Sequence, residues 1–117
     1  MSTPSLELLD ACLHEPHRHQ PATAVVIDRA ATLFRSAGDA NRLRLLEILL
    51  TGEHCVTELA SELGDRMSTV SERLRLLRAD GLVARRREGR HVYYALSDDH
   101  VAAVLRAGLD HAAELCG

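Results

Sequence analysis

The sequence predicts a mainly α domain that carries a helix-turn-helix followed by a small β-hairpin. Three observations predict it. Apolar residues recur at three- and four-residue spacing through most of residues 22–115. Two short helical patterns, 55–63 and 68–78, are split by a turn that contains Gly64. Strand-prone segments 82–87 and 91–96 flank Glu88-Gly89-Arg90. At 117 residues the chain holds one domain with a tail. Hydrophobic residues are 46% of it and aromatics only 3%, so the core is aliphatic, a composition that favours helices. The same lack of aromatics excludes a stacking platform for single-stranded nucleic acid.

The elements follow in order. Residues 1–21 read as a flexible arm: Leu6, Leu8 and Leu9 support one or two helical turns, and Cys12–Pro21 then holds two prolines and no periodicity. Residues 22–117 form the folded domain. Val25, Val26, Ala30, Leu33 and Phe34 place a helix over 22–36, ended by Gly38. Asp39 is positioned to cap the next helix, 40–50, which is apolar on too many sides for a surface helix and is therefore central. Val56, Leu59, Ala60 and Leu63 give the first short helix one apolar face. Val70, Leu74 and Leu77 do so for the second, which Ser68 is expected to cap and Gly81 to end. The hairpin follows, and an amphipathic helix from Asp98 to about Leu115 completes the chain.

No apolar run approaches the roughly 18 residues of a membrane span, and no signal peptide is visible. Cys12, Cys55 and Cys116 cannot make a disulfide framework. The expected compartment is the reducing cytoplasm, with no membrane partner.

The formal charge is −3, which by itself argues against nucleic-acid binding. Its distribution reverses that inference. Residues 66–90 hold eight Arg against three acids, a local +5, and the rest of the chain carries −8. All 14 cationic side chains are Arg, the side chain suited to bidentate contacts with phosphate and guanine. A local field recruits phosphate whatever the net charge. The second short helix would enter a major groove with its N-terminal residues at base edges. Ser68, Thr69 and Ser71 would bond bases or phosphates, and Arg73 and Arg75 would reach phosphate or guanine. Arg86, Arg87 and Arg90 on the hairpin would clamp the backbone. Glu72 either accepts from a cytosine amine or pairs with a neighbouring Arg. A solvated basic face without a ligand is the competing reading.

The terminal helix carries Asp98-x-His100, ten residues, then His111-x2-Glu114. His100 and His111 share a face at 100° per residue, yet lie about 16 Å apart along the axis, too far for one ion within one chain. Glu114 joins His111 on that face. Two antiparallel copies would bring each end to the other, forming two equivalent sites of Asp98 and His100 from one protomer with His111 and Glu114 from its partner. Two imidazoles and two carboxylates suit tetrahedral zinc or cobalt, and without thiolate the set is a poor choice for soft metals such as cadmium or for arsenite. For the chain as a whole, nickel and cadmium are further candidates after zinc and cobalt. A weaker constellation pairs Cys55 and Glu58 with the arm residues Cys12, His14, His17 and His19; the alternative is that Cys55 is a small buried hydrophobe. His54 is an adjacent competing ligand.

These residues resemble the ArsR/SmtB family of metal-sensing winged-helix repressors, over about 22–117, and its zinc-sensing branch most closely. The resemblance is carried by Asp39-Ala-Asn-Arg-Leu-Arg-Leu-Leu46, Glu53-His-Cys-Val-Thr-Glu-Leu59, Val70–Arg78, Gly89–Tyr94 and the terminal-helix motif. It implies a winged helix-turn-helix homodimer joined through its N-terminal and C-terminal helices. The metal-free dimer would hold operator double-stranded DNA and be released by zinc, controlling genes for metal efflux or sequestration. It further implies a link from His111 to backbone near Gly81, and makes Cys12 and His14 the counterparts of the arm ligands that complete the Cys55–Glu58 site. Thr57 stands where arsenic, cadmium and lead sensors carry a second Cys, and Asp65 before the recognition helix is a further departure. Two rival readings are a cytoplasmic metal buffer that never meets DNA and a cadmium- or lead-type sensor using Cys55. A four-ligand site leaves no open position for catalysis and no pocket for a small organic substrate, so an enzyme is not expected.

Overall fold

A computed structural model describes residues 20–117. Cys12, His14, His17 and His19, with all of the expected arm except Gln20 and Pro21, lie outside the described residues.

Helix α1 runs Ala24–Ala37, where Thr23 Oγ1 accepts from the Val26 N–H at 3.3 Å. Gly38 closes it, and Asp39 caps α2 (Ala40–Leu49) by accepting from the Arg42 N–H at 3.0 Å. Arg42 then reaches back: its Nε donates to the Ser36 carbonyl at 2.6 Å. A cation on the last carbonyls of α1 satisfies groups that the helix leaves unpaired. Leu45, Leu46 and Leu49 of α2 are buried, so the helix is central as expected.

Helix α3 (Val56–Leu63) starts from Cys55 as N-cap and ends at Gly64, which takes the left-handed conformation at φ 69°. Only glycine adopts that corner without strain. Helix α4 (Met67–Ala79) follows at once. Ser68 does not cap it. Arg66 is the last extended residue, at φ −72° and ψ 147°, so the helix begins at Met67 and Ser68 lies inside its first turn. Val70, Leu74 and Leu77 are fully buried against Leu45, Leu46 and Leu59. Gly81, at φ 85°, turns the chain out of α4, and the Leu82 N–H returns to the Leu77 carbonyl at 2.9 Å.

Strands β1 (Val83–Glu88) and β2 (His91–Leu96) pair antiparallel, from Val83↔Leu96 to Glu88↔His91. Gly89 turns between them at φ 63° and Arg90 keeps a negative φ, the pattern of a type II′ turn. His54, just before α3, forms an isolated bridge to Tyr94. Val83 and Leu82 enter the core, and Tyr94 and Leu96 pack against it. Helix α5 (Asp99–Cys116) is capped by Asp98, whose Oδ1 accepts from the Val101 N–H at 3.0 Å. It buries Val101, Ala102 and Leu105; residues 106–117 are exposed except for the half-buried Leu109. No helix among the described residues is long and apolar enough to cross a membrane. The helices and hairpin make the expected winged helix-turn-helix.

Candidate nucleic-acid interface and metal centre

Burying Val70, Leu74 and Leu77 fixes which side of α4 faces out. Ser68, Ser71, Glu72 and Arg75 fall within about 100° of the opposite side, and all four are exposed. Thr69 sits half-buried at its flank. The outward face thus opens with short hydroxyls at the helix N-terminus, where unpaired N–H groups favour anions.

Three of the candidate arginines are already engaged. Arg75 donates through Nε and Nη2 to both carboxylate oxygens of Glu72, at 3.1 and 2.7 Å. These bonds hold the Glu72 carboxyl below its ordinary pKa and raise that of Arg75. Of the two readings of Glu72, pairing with a neighbouring Arg is the one the geometry takes. Arg73 points elsewhere: it bonds Asp65 at 2.7 Å and its side chain is only 19% exposed. The acid in the turn before α4 therefore ties that turn to the helix. Arg86 donates to Glu53 and Glu88, whereas Arg87 and Arg90 are exposed at the outer end of the hairpin. Sequence periodicity placed the arginines but missed their partners, because Asp65–Arg73 spans eight residues and Glu53–Arg86 spans 33.

On α5, His100 is 98% exposed, and its Nδ1 lies 3.8 Å from Asp98 Oδ1. The non-helical cap conformation of Asp98 is what brings the two together. A capping carboxylate keeps lone pairs for a further partner. His111 and Glu114 are exposed near the other end. Among the described residues no three His, Cys, Asp or Glu side chains converge to hold a metal ion. The four α5 candidates thus do not meet within one chain, and two imidazoles with two carboxylates are a donor set that would fit zinc. Among the described residues His111 makes no bond to the Gly81 backbone. The Gly81 carbonyl instead accepts from Ser97 Oγ at 2.7 Å, and the Ser97 N–H donates to the Leu82 carbonyl at 2.9 Å. Ser97 immediately precedes Asp98, so the start of α5 is bonded to the end of α4.

Cys55 and Glu58 form a capping box at the start of α3. Glu58 Oε1 accepts from the Cys55 N–H at 2.9 Å, which with the Cys55 thiol holds the Glu58 carboxyl below its usual range. Cys55 is half-buried rather than a core residue. His54 Nδ1 lies 2.8 Å from the Gly52 carbonyl, and Cys116 is exposed at the far end of α5.

Residues 39–85, the span from the cap of α2 into β1, match the profile of the arsR family of bacterial regulatory proteins. A transcriptional repressor SmtB homolog from Synechocystis is 44% identical over 84 residues, 72% of this chain and 64% of that protein. A cadmium resistance transcriptional regulatory protein CadC homolog from Staphylococcus aureus is 35% identical, over 73% of this chain and 71% of that one. Among solved structures, a homodimeric winged helix-turn-helix DNA-binding domain from Mycobacterium bovis superposes with a TM-score of 0.75. It is 30% identical and covers 82% of this chain and 89% of that one. Sequence and architecture agree: the chain belongs to the arsR family of bacterial regulatory proteins.

Proposed function

We propose that the protein is a zinc-responsive repressor: a cytoplasmic homodimer that holds operator DNA without metal and lets go when zinc binds. The observation that carries this reading is the division of labour in one chain. Helix α4 presents Ser68, Ser71 and Arg75 outward beside a basic hairpin, while α5 presents two ligand pairs too far apart to serve one ion. A dimer accounts for the exposed apolar residues Val25, Val26, Ile27 and Phe34 on α1 and Val104 and Leu115 on α5. Phe34, Val104, Leu109 and Ala112 also line one groove between α1 and α5. Both helices would then form the joint between protomers, bringing Asp98 and His100 of each to His111 and Glu114 of the other.

Zinc, when bound, supplies a crosslink between the two α5 helices, and cobalt or nickel fits the same donors; cadmium would need the Cys55 site instead. The chain's own residues do the rest. Thiolate is absent from the α5 set, which disfavours soft metals there. A soft-metal site in this chain would have Cys55 alone among these positions, since Thr57 supplies no second thiol. Cys55 and Glu58 are a secondary site that needs outside donors, Cys12 and His14 being the candidates. The protein regulates rather than catalyses, and the genes it controls are those of metal efflux or sequestration.

The DNA reading is tested by Arg75→Ala. Operator affinity of the dimer should fall by about a hundredfold, as for loss of one good base or phosphate contact in each protomer. If the lost partner is a phosphate, the slope of log affinity against log salt should become shallower by about 1.8. Anisotropy titrations of labelled promoter DNA read both. Unchanged affinity would remove Arg75 from the interface.

A further inference from the structure

Arg86 sits midway along β1, opposite Tyr93. A basic wing residue invites assignment to a DNA phosphate, but its surroundings are already filled. Nε and Nη2 donate to the two carboxylate oxygens of Glu53 at 3.0 and 2.9 Å, fork to fork. Nη1 donates to Glu88. The guanidinium carbon lies 5.0 Å from the centre of the Tyr93 ring, within cation–π range. Two carboxylates around one guanidinium give the group a formal charge of −1, which repels a phosphate. Glu53, followed by Glu88, raises the Arg86 pKa, and Arg86 in turn holds the Glu53 carboxyl below its ordinary value.

Glu53 belongs to the segment between α2 and α3. Its neighbour His54 exchanges both backbone bonds with Tyr94, at 3.0 and 2.8 Å. A lone two-stranded hairpin is marginal in water, so its angle depends on such ties. Val83 and Leu96 fix its base. Farther out, Glu53–Arg86 is the one ion pair joining the hairpin to the helical body among the described residues. The two side chains are 42% and 48% exposed, so the pair adds little to global stability. What it fixes is direction.

We propose that Glu53 and Arg86 are a wing-positioning pair: Arg86 acts through Glu53 to set the hairpin against the helix-turn-helix, and leaves the phosphates to Arg87 and Arg90. This rests on the DNA-binding reading above. The sign of one substitution separates the possibilities. If Glu53 is only an acid near DNA, Glu53→Gln removes repulsion and tightens operator binding. If Glu53 holds the wing, the same change weakens it.

Anisotropy titrations of labelled promoter DNA, without metal and over a series of salt concentrations, test this with the full chain. Glu53→Gln and Arg86→Gln should each weaken binding about three- to fivefold, the range of an exposed ion pair. Their salt slopes should match the parent, and the double variant should be no weaker than either single one. Arg87→Gln should instead make the slope shallower by about 1.8, one phosphate contact in each protomer. Tighter binding by Glu53→Gln, parental affinity in Arg86→Gln, or a slope made shallower by about 1.8 in Arg86→Gln would overturn the assignment. A parent chain that ignores the DNA overturns the DNA-binding reading itself, and the wing assignment with it, before any variant is compared.

Discussion

A His111→Gln dimer should bind operator as tightly as the parent and should fail to release it when zinc is added. Glutamine keeps the polarity and approximate length of the side chain but is a poor zinc ligand. His111 is exposed near the C-terminal end of α5 and belongs to neither α4 nor the hairpin, so the proposed DNA contacts are left in place. Allosteric coupling in binding proteins amounts to about 5- to 150-fold in affinity; in the variant that factor should collapse toward one. Linkage also requires the converse, that operator weakens zinc binding to the parent by the same factor and leaves the variant's residual binding unaffected. The structure offers a short route for this coupling. Asp98 is bonded to the start of α5, and the adjacent Ser97 is bonded to Gly81 and Leu82 at the end of α4. A crosslink that shifts the start of α5 therefore moves the base of the recognition helix. Operator anisotropy during a zinc titration reads the effect, and parental release by His111→Gln would take α5 out of the switch.

Leu74→Ala should give the largest loss of stability. Leu74 is fully buried on the inner side of α4, within the cluster of Leu45, Leu46, Leu59, Val70 and Leu77. Removing its isobutyl group leaves a cavity that costs about 2–5 kcal/mol. That is a large share of the roughly 5–15 kcal/mol that holds a domain together. The melting temperature should fall by about 10 °C or more, measured at fixed protomer concentration because dimerisation also contributes. Leu76→Ala, two residues on and partly exposed, is the control and should cost well under about 1 kcal/mol. Equal losses at the two positions would mean that the inner and outer sides of α4 are misassigned.

What the sequence reveals follows the range of the interaction that sets each feature. Apolar spacing located every helix of 22–117, because an apolar stripe is a local pattern; on α4 the stripe Val70, Leu74 and Leu77 is buried, whereas on α1 Val25, Val26 and Phe34 stand exposed. Gly64, Gly81 and Gly89 mark the turns because each takes a positive φ. The Asp98–His100 pairing was legible because one cap residue sets it. Ser68 misled, since a good capping side chain does not decide where the backbone leaves the extended region; Arg66 does so without any side-chain cap. Least legible were the charges. The local pairing of Glu72 with a neighbouring Arg was legible, but a count of residues 66–90 does not find that Glu53 and Asp65 engage Arg86 and Arg73. Asp65–Arg73 and Glu53–Arg86 exist only once the turn and the hairpin have folded, and each changes what its arginine is free to do.

The opposite charges of the basic and acidic segments lead to one mechanistic consequence. Zinc would neutralise part of the acidic body and leave the basic face untouched, so added charge cannot be what expels DNA. In the proposed mechanism, release would therefore come from altered geometry of the dimer. The direct measurement is anisotropy of a labelled fragment of the protein's own promoter, titrated with dimer first in chelator and then with zinc. The account predicts tight, salt-sensitive binding in chelator and a loss of at least about fivefold in affinity with zinc. No binding in either condition, or tighter binding with zinc, would contradict it.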